Sequence, residues 1–180
     1  MKKLSILVFI AVVTVALIYT LVRYIAVDRF SFAVALNFLL MACVLTFTET
    51  LKSQFKSSYF NEKAWEKGGK IYKSLGINFY RKLLVWLGWE KLNKQAKPVK
   101  KNNEALTYLL YKTKQDELGH LIIMFIVLGF TVFVAIKNGI AKSLPLLVLN
   151  VLLNVYPVLL QRYNRPRTQR ALNLSKHKIK

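Results

Sequence analysis

Cysteine, histidine and acid are scarce in this chain. Its one cysteine, Cys43, excludes an intramolecular disulfide and any multi-cysteine zinc site. Lying within an apolar run, that thiol reads as buried and inert. Histidine occurs twice, at His120 and His177, which leaves little for a metal centre. Eight acids face 28 lysines and arginines, a net charge of +20 over 180 residues. No internal repeat and no low-complexity segment interrupts the chain, so repeat architectures are out. A basic balance of this size fits nucleic-acid binding. That reading leaves the long apolar runs unexplained, so no nucleic acid is expected as a partner.

What is abundant is hydrophobic residue, 54% of the chain, and it is held apart from the charge. Segregated apolar and basic blocks are the pattern of a membrane protein with basic, membrane-facing surfaces. Length gives one domain as the default, here a single membrane domain over 1–180. Four spans are expected, at residues 4–22, 31–48, 119–137 and 143–161, each near the length that crosses a bilayer. The first follows Lys2-Lys3 and has the outline of a signal peptide. It is long for one and no small-x-small cleavage site follows, so it reads as a retained helix. Lys137-Asn-Gly139 closes the third span, and Pro145 is tolerated in the first turn of the fourth. Glu49, at the end of the second span, is either a helix-end carboxylate in water or part of a site.

Residues 51–116 form a long connection in which Lys and Arg alternate with Phe55, Tyr59, Phe60, Trp65, Tyr72, Phe79, Tyr80, Trp86 and Trp89. Aromatic rings with basic neighbours belong at headgroup level. Asn61–Leu75 and Phe79–Leu92 are expected as amphipathic helices lying in the membrane plane, with Gly68-Gly69 weakening the first. Asn93–Asn103, with Pro98, reads as a solvated linker. Asn103-Glu104 offers a cap for a helix that continues into the third span. The fold class expected is therefore all-α: an integral membrane protein with four transmembrane helices plus interfacial helices. The N-terminus, the connection and the basic tail 162–180 hold 2, 15 and 7 Lys/Arg, against four on the other side. By the positive-inside rule both termini and the connection are cytoplasmic, in a multi-pass protein of the cell (inner) membrane.

Two polar clusters fall on that face. In Glu117-Leu-Gly-His120 a carboxylate and an imidazole stand three residues apart on one helical face. That is the arrangement for a general base with an orienting acid, or for an ordinary interfacial histidine beside a helix-end acid. The spacing also matches one half of a di-iron site. The second half is missing, so no metal is expected. The fourth span carries Asn150, Asn154 and Gln161 on one stripe, with Pro157 between them freeing a backbone carbonyl. Such amides either bond neighbouring helices or form a polar seam. The span exits through Gln161, Arg162, Asn164, Arg165 and Arg167, more polar chemistry than a membrane boundary needs. These arginines suit lipid phosphates, or the carboxylate or phosphate of a substrate.

Gln161-Arg-Tyr-Asn-Arg-Pro-Arg167 after Asn154-Val resembles the glycosyl-4,4'-diaponeurosporenoate acyltransferases, the small membrane enzymes of the staphyloxanthin pathway. Thr113-Lys-Gln-Asp-Glu-Leu-Gly-His120 and Trp65-Glu-Lys-Gly-Gly-Lys-Ile-Tyr72 are similar to two further stretches of that family, so the resemblance covers about residues 60–170. It implies transfer of a fatty acyl group to a sugar hydroxyl of a glycosylated carotenoid or a similar isoprenoid glycolipid. The donor would be an acyl thioester, acyl-CoA or an acyl carrier, with no cofactor besides. On this reading His120 is the base and Glu117 its partner. Arg162 and Arg165 bind substrate anion, Asn154, Gln161 and Asn164 are ligands to sugar or carbonyl, and Arg167 is a further substrate-binding residue. Another interfacial lipid-modifying transferase, or a non-enzymatic membrane subunit, would use the same groups differently.

Overall fold

The computed structural model describes residues 2–88 and 103–177. Every regular element among them is helical. In chain order these are α1 (Lys2–Tyr24), α2 (Phe30–Leu51), 3-10 turns at Ser58–Phe60 and Ala64–Gly69, α3 (Ile71–Ser74) and α4 (Ile77–Trp86). Then come α5 (Asn103–Asn138), α6 (Ile140–Asn150), a π turn (Val151–Val155) and α7 (Tyr156–His177). Four helices are long and apolar enough to cross a membrane: α1, α2, α5 and the continuous run Ile140–His177. The all-α, four-span class read from the sequence is the class observed. The chain divides into two compact units, one of Met1–Gln54 with Gln115–Val158, the other of Phe55–Lys114 with Leu159–Lys180.

The first unit is built on α2. Phe32, Ala33, Leu36, Leu40 and Val44 recur at three- and four-residue spacing and are buried against Ile123, Val127 and Val134 of α5 and Leu146 of α6. α1 has no buried residue, although Ile18 and Leu21 lean on the same core. Hydroxyls inside the helices donate back to the preceding turn, as Thr48 Oγ1 does to the Val44 carbonyl at 2.9 Å and Thr131 Oγ1 to Val127 at 2.8 Å. That satisfies them without water. At the ends of the spans, Lys142 Nζ donates to Asp28 Oδ2 at 2.7 Å, and this bond and charge hold the Asp28 carboxyl below its usual range.

The second unit departs from expectation in two elements. A single amphipathic helix over Asn61–Leu75 does not form. Lys67 (φ 48°) and Gly68 (φ 68°) are left-handed, so the chain makes the short 3-10 turn and restarts at α3. The cause is a close approach. Gly69 lies at φ 82°, and a Cβ there would sit 3.1 Å from the Tyr163 carbonyl oxygen. Tyr72 is buried while Trp65 and Leu75 stay exposed. α4 is amphipathic as expected, burying Ile77 and Tyr80 and exposing Phe79, Arg81, Lys82 and Trp86. It ends sooner than the expected Leu92, because the chain turns at Leu87 and Gly88 (φ 75°) after Trp86; Trp89 and the linker residues 93–102 with Pro98 lie outside the described residues. α5 runs 36 residues from Asn103 without a break. At 1.5 Å per residue that is about 54 Å, well beyond a ~30 Å hydrocarbon core. The fourth span also continues as helix past the arginines, to His177.

Candidate functional site

An amide inside an apolar helix must find partners within the protein. In the first unit Asn154, fully buried in the π turn, donates through Nδ2 to Asn37 Oδ1 at 2.9 Å and to Asn150 Oδ1 at 3.0 Å. Asn37 donates to the Ala33 carbonyl at 2.8 Å, and Asn150 to the Met124 carbonyl at 3.0 Å. Both hydrogens of the Asn154 amide are therefore used on other asparagines. Its oxygen faces His120 Nδ1 at 3.4 Å. An amide oxygen can only accept, so His120 Nδ1 is the donor in this pair. The Leu153 backbone also bonds the ring. Pro157 has no N–H to return to Leu153 four residues earlier, which is how that carbonyl stays open. π turns recur where a helix must offer such groups.

Glu117, fully buried, sits three residues before His120 on α5. His120 also lines a cavity of about 100 Å³ between α2 and α5, with Thr48, Gln115 and Asp116 toward one end and Met41 and Ile123 toward the other.

The arginines lie in the second unit and are tied to its loops. Arg162 donates through Nη1 to Glu66 Oε1 and through Nη2 to the Tyr59 carbonyl, both at 2.9 Å, with its guanidinium over the Tyr59 ring. Glu66 also accepts from the Tyr72 hydroxyl and from the Lys63 amide at 2.8 Å. Burial pushes the Glu66 carboxyl up, but the Tyr72, Lys63 and Arg162 bonds outweigh it and hold the group below the usual glutamate range. Arg165 donates to the Phe60 carbonyl at 3.0 Å and to the hydroxyl and carbonyl of Thr113, each at 3.3 Å. Arg162, Arg165 and Lys114 converge on a cavity of about 240 Å³ that Glu62, Glu66 and Gln169 also line. Gln161 and Asn164 are half-buried, and Arg167 lies exposed with its guanidinium 3.8 Å over the Tyr163 ring.

Residues 56–174, about two thirds of the chain, match the glycosyl-4,4'-diaponeurosporenoate acyltransferase family. The chain belongs to this family. No curated protein and no solved structure matches the chain. The family's name carries an acyltransferase of the staphyloxanthin type. The matched span includes His120, Asn154 and the whole Gln161–Arg167 motif, and it begins after the helices that supply Asn37 and Thr48.

The structure thus joins His120 to Asn154 within one unit, and places Arg162 and Arg165 with one another in the other. It adds partners that motif reading passed over. Asn37 stood out only as a lone amide in an apolar run. The signal that could have found Glu66 is its place three residues after Lys63, the spacing at which a carboxylate returns to the backbone of a helix start. Thr113 and Lys114 open the stretch through His120 that resembles the family, but no pattern in the sequence assigned either a role.

Proposed function

We propose that the protein is a membrane acyltransferase that esterifies a sugar hydroxyl of a glycosylated carotenoid, or of a similar glycolipid, with a fatty acyl group from a thioester. The observation that carries this reading is the His120–Asn154 bond, which leaves Nε2 to take a proton, in a chain of this acyltransferase family. The acceptor O–H donates its proton to Nε2 as the oxygen bonds to the thioester carbonyl carbon. Collapse of the adduct breaks the C–S bond, and the imidazolium returns the proton to the leaving sulfur. Glu117, buried one turn away on the same helix, remains assigned as the orienting partner of His120. The step balances with no cofactor besides the donor. The cavity with Lys114, Arg162 and Arg165 has the charge for the phosphate of acyl-CoA or of an acyl carrier. Gln161, Asn164 and Arg167 remain assigned to substrate binding, whereas Asn154, held by Asn37 and Asn150, acts by orienting His120. The cation asymmetry supports a cytoplasmic position for both termini and the 51–116 connection, on the side where such donors are found.

The test is transfer of label from an acyl thioester to a glycolipid in membranes containing the protein. His120→Ala should lower the rate by about 10²–10⁴, the usual contribution of a positioned base, with membrane insertion unchanged. Undiminished transfer by this variant would remove His120 from the reaction.

A further inference from the structure

The cavity between α2 and α5 has a direction. Val44 Cγ1 lies 3.8 Å from where a Cβ on Gly119 would stand, so these two residues face each other at its middle. One turn beyond them are Thr48 of α2 with Gln115 and Asp116 of α5, and one turn the other way are Met41 and Ile123. Polarity therefore falls along the groove from hydroxyl, amide and carboxylate to thioether and alkyl, with His120 at the transition. Leu45, half exposed, forms an edge open to lipid. The lining holds a carboxylate and no lysine or arginine, so it disfavours a phosphate-bearing head and suits an uncharged polyol. A volume of about 100 Å³ is roughly three water-sized groups, room for part of one chain and not for two side by side.

We infer that this groove is the seat of the acceptor, a single-chain amphiphile with an uncharged sugar head. In the space the groove offers, one head hydroxyl bonds among Thr48, Gln115 and Asp116 and the first methylenes lie past Val44 and Gly119, while the rest of the sugar and of the chain stands outside, the chain leaving into lipid at Leu45. Seating the chain fixes which hydroxyl meets His120, so the groove sets acceptor specificity. The inference rests on the acyl-transfer reading for the word acceptor, while binding is measured without turnover.

The experiment uses the full chain in nanodiscs and a long-chain alkyl β-glucoside carrying a diazirine in its chain, with labelled peptides mapped by mass spectrometry. Labelling is expected on α2 and α5 around Met41–Leu45 and Gly119–Ile123, displaced by unlabelled alkyl glucoside and not by palmitoyl-coenzyme A. Gly119→Ala, whose Cβ meets Val44 at ordinary contact distance, should keep it. Gly119→Leu fills the groove and should lower it about tenfold, the affinity of about two excluded methylenes. Leu45→Trp plugs the same groove from its exposed edge and should act alike if the leucine variant fails to fold. Labelling spread evenly along α1, displacement by the coenzyme A thioester, or indifference to both plugs would overturn the assignment. His120→Ala should still be labelled. Mapped labelling without any acyl transfer would retire the reaction and leave the binding site, whereas transfer without mapped labelling would do the reverse.

Discussion

Asn154 spends its whole hydrogen-bonding capacity on orientation, since two asparagines hold its amide and its oxygen addresses one histidine nitrogen. Asn37→Leu removes an acceptor and lets the Asn154 amide turn. Losing one buried orienting bond of about 1–3 kcal/mol is a factor of about ten to a hundred in rate. Acyl transfer should fall by that much, and ¹⁵N spectra of the imidazole should show the Nε2–H tautomer gaining population. A His177→Gln background leaves His120 as the only signal. Glu66 makes a second residue-scale prediction. Its carboxyl is depressed on folding, so its contribution is present above the unfolded value and is lost as pH falls through the folded one. Thermal unfolding should be insensitive to this group at neutral pH and weaken below about pH 4.3, while Glu66→Gln loses that acid limb and melts lower throughout. His120, Asn154 and the arginines were legible because polar residues stand out in or beside apolar runs. Asn37 and Glu66 were not, because their importance lies in partners 117 and 96 residues away.

At the scale of elements, the long helices were readable from their ends. Asn103 starts α5, and Gly139 at φ 95° marks its close. The 61–75 stretch was misread because its pattern is helical while its backbone answers to the Tyr163 carbonyl, a contact no local periodicity reports. Gly69→Ala should therefore destabilise by more than the about 1 kcal/mol gained from a better helix former, seen as a lower melting temperature with helix content in the spans retained. Arg165→Lys tests the neighbouring brace. An ammonium cannot reach the Phe60 carbonyl and both oxygens of Thr113 with the geometry of a planar fork. Limited proteolysis within 55–66 should accelerate in this variant, and acyl transfer should drop.

For the whole molecule, the cation count makes a firm demand. A reporter fused after Lys180, or within Asn93–Asn103, should read cytoplasm, and an external signal at either place would reverse the sidedness. Trp65 and Trp86 stand 57% and 82% exposed, so what covers them is lipid headgroup or water. Quenching of their fluorescence by lipid-borne rather than aqueous quenchers would place this surface in the interface. Fold class was legible at this scale because hydropathy and charge are summed over many residues, whereas the course of the backbone through 55–75 depends on single contacts. Length changes expose one more property of the chain. Removing one residue from a regular spanning helix turns all that follows by about 100°, so such deletions ordinarily scramble which side chains face which neighbours. The π turn at Val151–Val155 already holds one residue more than the α-helical path requires. Deleting Leu152 should let the backbone rewind as plain α-helix with the segments before and after still in phase, giving a protein that inserts and folds, and since Pro157 still stands four residues after Leu153 the carbonyl toward His120 stays open.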